Sequence, residues 1–408
     1  MLAKLSVLLV GKGYFPFRVA GDKNFFLELT PLLVERGAEV AVFSVNDQEE
    51  ETFLQRAGST GKEIKIHNVK RPFHLSSSLP KYFGRAGNLH YYHHLHSAWQ
   101  EVPEIFLTIL ANLPRLRQII KTHGIQVIHF MDNFGPAMAL VKKCFPDLMV
   151  TASALTYCAR GRHYDLFYKY SYKPLDCTVC YTEDFARKFR TWGHAPKRLA
   201  VIHWSVRLPS RALLEVEKKA LRTEYGVTEG HSLLLWSGEL QNIKEEDFFL
   251  ALETARTVTG EDPTSHFVFA FKPESFRPEY KKFAGERIEI ITNVQDFRAF
   301  LEAADFLFSP MASPRVIVAP PLTWIEAMAR GTPVITTMAG GVRELVVDGS
   351  TGFVSPSRAE LASTTLRALR DGNLSQLMAE GRRLVAKRFN TSRTADEYLA
   401  LWRRRRKN

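Results

Sequence analysis

Short apolar runs alternate with stretches of helically spaced apolar residues along this chain, and the alternation starts twice. Residues 5–10 read as a strand, Phe25, Phe26, Leu29, Leu32 and Leu33 recur at helical spacing, and residues 39–44 read as a strand again. Pro31 falls inside that helical stretch, where a kink is expected. Further strands are expected at 125–129, 148–152, 178–181 and 199–202, followed by a polar, helix-prone segment over 208–222. The pattern then resumes, with strands at 233–236, 266–271, 287–291 and 306–309 and helices at 246–256 and 297–304. Alternating strands and helices build parallel sheets, and 408 residues exceed one typical core. The expected class is therefore α/β, in two similar halves with a ligand cleft at the C-terminal ends of both sheets.

Composition narrows the function classes. The first apolar run is short and is followed by Gly11-Lys12-Gly13, so it reads as a strand rather than a signal peptide, and no later run is long enough to cross a bilayer. A cytoplasmic location is expected. Cys177 and Cys180 have C-x-x-C spacing, but no second pair or nearby histidine accompanies them, so two buried strand cysteines are expected rather than a zinc or redox site. His90, His93, His94 and His96 lie in an aromatic segment without a thiolate or carboxylate at ligand spacing, which favours a loop or acceptor-side surface over a metal centre. The net charge of +12 points to a negatively charged partner. Its densest block, Trp402 with Arg403, Arg404, Arg405, Arg406 and Lys407, suits either a solvated tail or the anionic inner face of a membrane. No zinc-finger, helix-turn-helix or aromatic RNA-binding signature supports nucleic acid as that partner.

One segment carries a chemical suggestion. Pro320 and Pro321 end an extended stretch and suit the first turn of a helix running from Leu322 to Arg330, which Gly331 and Pro333 stop. The amides of Leu322 and Thr323 would point forward with the positive end of the helix dipole, a place for a phosphate or diphosphate. Thr323 adds a hydroxyl there. Glu326, three residues on, would accept two hydroxyl hydrogen bonds from a ribose. An ordinary helix-strand unit explains the same spacing.

These segments resemble the retaining glycosyltransferases of family 4, which have the GT-B fold of two facing Rossmann-like domains. The similarity runs through Val19-Ala20-Gly21-Asp22, Val127-Ile128-His129-Phe130-Met131-Asp132, Val201-Ile202-His203-Trp204-Ser205-Val206, and the stretch from Glu326 to Gly352-Phe353-Val354. It implies an acceptor-side domain over 1–207, a donor domain over 208–388, and a terminal helix and tail over 389–408 that packs back on the first half. It also implies transfer of a sugar from a UDP- or GDP-sugar to a sugar, lipid or small-molecule acceptor, with retention and without an obligatory metal or cofactor. By the same resemblance Lys244 binds phosphate, Lys272 lies near the nucleotide, Gly238 belongs to the phosphate loop, and Gly21 lets its loop approach the diphosphate.

Three positions depart from the family pattern. Glu239 stands where the family carries a cation, Val318 where a first glutamate holds the donor sugar, and Met131 where many relatives carry a histidine near the reaction centre. Asp132 is then the first choice for an acceptor-side polar group or base, with His129 as the second unless it is a satisfied core histidine. The losses leave open a sugar-binding protein without turnover, or an epimerase or phosphorylase on the same fold.

Overall fold

The computed structural model describes residues 4–11, 21–45, 64–69, 102–154, 162–238, 245–271, 276–292, 294–312 and 319–404. It divides into two compact units, one of residues 1–204 with 391–408, the other of residues 205–390.

The first unit is built on a parallel sheet of seven strands: β1 (Leu5–Gly11), β2 (Ala38–Val45), β3 (Lys65–Val69), β4 (Val127–Phe130), β5 (Met149–Ala154), β6 (Cys177–Cys180) and β7 (Leu199–Val201), in the order β3-β2-β1-β4-β5-β6-β7. Strands β1, β4, β5 and β6 are buried along their whole length, as expected of parallel strands covered on both faces. β3 was not anticipated. Its sequence, Lys-Ile-His-Asn-Val, alternates weakly because it is an edge strand with one fully buried residue, Val69. The helix Gly21–Glu35 continues through Pro31.

The C-terminal helix Thr391–Arg404 belongs to this unit and packs on Gly21–Glu35. Arg36 fastens the two, its Nε 2.6 Å from Asp396 Oδ1 and its Nη2 3.1 Å from the Ser392 carbonyl. The apolar face of that helix carries Tyr398 and Trp402 into the core, where Trp402 retains 2% of its exposure. This corrects the expectation that Trp402 serves a membrane surface: its indole lies 5.2 Å from the Tyr398 ring and 5.4 Å from the His129 imidazole. Arg403 and Arg404 are exposed, while the rest of the basic run lies outside the described residues. Among the described residues no helix is long and apolar enough to cross a membrane.

The second unit repeats the plan with six parallel strands: β8 (Ser232–Gly238), β9 (Ser265–Phe271), β10 (Ile288–Thr292), β11 (Phe306–Phe308), β12 (Val334–Thr337) and β13 (Gly352–Ser355), ordered β10-β9-β8-β11-β12-β13. Trp236, Phe248, Phe267, Phe269 and Phe271 fill its core, edge to face or tilted, between the sheet and the helix Glu245–Glu261. The polar segment after residue 208 becomes helical only from Glu215 to Glu224, where Glu217 returns to accept the Leu214 amide.

Candidate functional site

In the second unit the chain winds from β8 outward to β10, then returns to the other side of β8 to lay down β11. Where the winding reverses, the connections leaving two adjacent strand ends diverge, and a crevice opens beyond their carboxyl ends. Gly238 ends β8 on this edge, and Phe308 ends β11. The helices Glu245–Glu261 and Leu322–Arg330 follow β8 and β11, so each begins at the carboxyl edge of the sheet with its positive end there.

The second of these helices starts as its prolines require. Pro321 has φ −56° and ψ 144°, and the first intrahelical acceptor, the Pro321 carbonyl, serves Trp324. The Leu322 and Thr323 amides therefore precede the ladder, as the first donors of any helix do. Leu322, Thr323 and Glu326 are half-buried, whereas Trp324 and Ile325 are buried. The floor around them is cross-braced. The Trp324 indole donates to Ser309 Oγ at 2.8 Å, which ties the first helical turn to the end of β11. Thr337 accepts the Met311 amide at 2.8 Å and donates to the Met311 carbonyl at 2.7 Å, and Asp247 accepts the Ala312 amide. At the far end Gly331 adopts φ 90°, and Arg382 donates to the Arg330 carbonyl at 2.7 Å. A β-carbon at Gly331 would strike that guanidinium, so the glycine serves both the backbone and the cap.

Glu326 is held by an arginine the sequence did not announce. Arg298 donates through Nε at 3.0 Å and Nη2 at 2.8 Å, both to Glu326 Oε1. Gly238 has a packing reason besides its place on the edge: a β-carbon there would collide with the Trp236 ring. Lys244, Lys272, Glu239 and Val318 lie outside the described residues, as do the four clustered histidines at 90, 93, 94 and 96.

The first unit has its own reversal between β1 and β4. Gly21 opens the helix that follows β1, and Asp132, half-buried, follows β4, so both lie on the carboxyl edge of that sheet. Met131 beside it is buried. His129 is placed elsewhere and drops out of the candidate site. It is fully buried, with Nδ1 2.8 Å from Thr151 Oγ1 and Nε2 3.0 Å from Ser153 Oγ. Ser153 Oγ in turn lies 3.0 Å from the Tyr398 hydroxyl. Both ring nitrogens are thus used inside the unit, on the face of β4 that meets the C-terminal helix.

Burial pushes the His129 pKa down from 6.5 to about 3. The folded protein therefore keeps the ring neutral where the unfolded chain takes up a proton, so stability is unaffected above the ordinary value and falls as the pH drops from there toward the folded one. The expected slope from this residue is about 1.4 kcal/mol per pH unit. His266, pushed down to about 4 by burial, acts in the same window, so the measurement is a comparison. Urea titrations between pH 7 and 4 should show a shallower loss for His129→Gln than for the wild type; equal slopes would refute the assignment.

Cys177 and Cys180 are buried in β6, and burial raises both thiols, Cys177 to about 12. Such thiols stay protonated and are poor ligands or nucleophiles.

Residues 20–208 match the model of "Glycosyltransferase Family 4", and residues 231–371 match that of "Glycosyl transferases group 1". The chain is 25% identical over 387 residues to an alpha-D-kanosaminyltransferase of Streptomyces kanamyceticus, covering 84% of this chain and 90% of that protein. It is 29% identical over 244 residues to a D-inositol 3-phosphate glycosyltransferase of Geodermatophilus obscurus, covering 56% of this chain and 52%, about half the length, of that relative. In fold it is similar to a glycosyltransferase from Rickettsia africae, with a TM-score of 0.72 at 16% identity, covering 98% of each chain. Anabaena HepE, solved with UDP and glucose, is similar at a TM-score of 0.69 and 13% identity, covering 97% of this chain and 99% of that one.

Proposed function

We propose that this chain, which belongs with the GT-B glycosyltransferases of family 4, transfers a sugar from a nucleotide diphosphate sugar to a sugar, lipid or small-molecule acceptor, with retention of configuration. The observation that carries the proposal is the start of the helix Leu322–Arg330 at the reversal between β8 and β11, with Glu326 one turn inside it. A diphosphate meets forward amides and a helix dipole at such a start, and a ribose diol meets a carboxylate that accepts both hydroxyls. That a similar structure holds UDP and glucose, and that a relative over 90% of its length is named a kanosaminyltransferase, support a nucleotide-sugar donor.

In this scheme the second unit takes the donor. As the glycosidic bond breaks, charge grows on the leaving diphosphate, and the Leu322 and Thr323 amides, Lys244 and Lys272 stabilise it. Asp132, on the first unit, acts as acceptor-side polar group or base. Val318 cannot accept a hydrogen bond, so the donor sugar's hydroxyls must be held by other groups, or the sugar is not one of the usual hexoses.

The test is release of free nucleotide. Incubation with a mixed pool of UDP- and GDP-sugars and candidate acceptors should liberate UDP or GDP, and one nucleotide sugar should raise the melting temperature. A folded protein that no nucleotide sugar stabilises would overturn the proposal, and binding without nucleotide release would favour a sugar-binding protein that has lost turnover.

A further inference from the structure

We infer that Arg298 is a positioning residue that presents Glu326 to the ribose diol of the donor and so makes the site selective for ribonucleotides over 2′-deoxyribonucleotides; this rests on the donor reading above. The two residues come from different elements. Arg298 stands at the second position of the helix Phe297–Ala303, after β10, and Glu326 stands on the helix that follows β11. Asp296 caps the first helix by accepting the Ala299 amide at 2.9 Å, which fixes the backbone from which Arg298 projects. Thr332, just past the second helix, donates to the Leu301 carbonyl at 2.6 Å, and Arg330 reaches Glu302 at 3.6 Å. The two helices are thus locked together beyond the pair, toward their C-terminal ends.

The geometry of the pair is selective in itself. Arg298 donates to Glu326 Oε1 from both Nε and Nη2. Two donors of one guanidinium on a single oxygen hold that oxygen in place. An ionised carboxylate offers about four acceptor positions and no donor. Such a group recognises hydroxyls and repels phosphate, so a vicinal diol is the matching ligand, and its loss of one hydroxyl leaves an aimed acceptor without a partner. Arg298 has a side chain 48% exposed against 21% for Glu326. Its part is orientation; it need not touch the sugar that is transferred.

The experiment compares each ribonucleoside diphosphate with its 2′-deoxy analogue by calorimetry, on the full chain, as wild type, Arg298→Ala and Arg298→Lys. The wild type should prefer the ribose form by about tenfold, the cost of one hydrogen bond to a charged acceptor. Arg298→Ala should lose most of that preference and raise the donor KM about tenfold, with kcat changed by less than about threefold, because a mispresented carboxylate weakens binding equally in ground and transition states. Arg298→Lys, which restores charge without the planar fork, should recover affinity more than selectivity. The ribose-to-deoxyribose ratio does not depend on the fraction of folded protein, so partial misfolding of a variant does not obscure it. A wild-type preference that persists in Arg298→Ala, or a wild type that binds both forms alike, overturns this inference and leaves the donor reading standing. A wild type that binds neither nucleotide overturns both.

Discussion

Lys244→Ala is expected to lower kcat by about 10²- to 10³-fold, the loss typical of removing one group aimed at charge that develops in the transition state. In sequence Lys244 directly precedes Glu245, the first residue of the helix Glu245–Glu261. Glu239 makes the loss severe. In the proposed scheme the family's second cation is an anion in this chain, so Lys244 has less to share its task with, and Lys272 is the other cation proposed for it. The effect belongs to the transition state, since charge on the bridging oxygen grows only as the bond breaks. Single-turnover release of UDP or GDP measures it, and an unchanged melting temperature shows that the fold is intact. Turnover at the wild-type rate would remove Lys244 from the mechanism. Arg in its place should restore much of the rate, because charge rather than shape is what the diphosphate requires.

Trp402→Ala is expected to destabilise the first unit by about 3–5 kcal/mol, the range for deleting a large buried aromatic side chain. Its indole is 2% exposed and packs on Tyr398 and His129, and its N–H has no hydrogen-bond partner among the described residues. The loss is therefore one of apolar packing, with a cavity left beside the helix that closes the unit. Urea denaturation followed by near-ultraviolet circular dichroism reads it. A change below about 1 kcal/mol, the scale of an exposed residue, would contradict the placement. A residue at a membrane surface would behave in the opposite way, with stability unchanged and vesicle binding lost.

The strands and helices that the apolar pattern announced are those that form, to within a few residues: β1, β2, β4 to β11, and the helix Leu322–Arg330 at its expected limits. Buried parallel strands must be apolar throughout, and helices on both faces must be apolar on one side, so these elements leave their periodicity in the chain. β3 left almost none, because an edge strand with polar residues has little to bury. The motif proposed to take the donor was legible for a similar reason: two prolines, a carboxylate one turn on and a terminal glycine are local in sequence. Arg298 was not, since it stands 28 residues before the carboxylate it orients, and only the packing of two helices brings them together. His129 and Asp132 illustrate the same limit from the other side. They are three positions apart and equally polar, yet one ends inside a closed network with Thr151 and Ser153, and the other follows the strand at the sheet's carboxyl edge.

By itself the sequence determined that this chain alternates strand and helix in two units of parallel sheet, and that one helix of the second starts after a pair of prolines and ends at a glycine. These are consequences of period, proline and glycine, which act over a few residues. Only the tertiary structure decided which polar groups are spent inside and which stand at the strand ends. It buried Trp402, carried by a helix from the far end of the chain, against His129, and set Arg298 upon Glu326. Burial and pairing depend on what the rest of the chain brings alongside, and no local pattern records that.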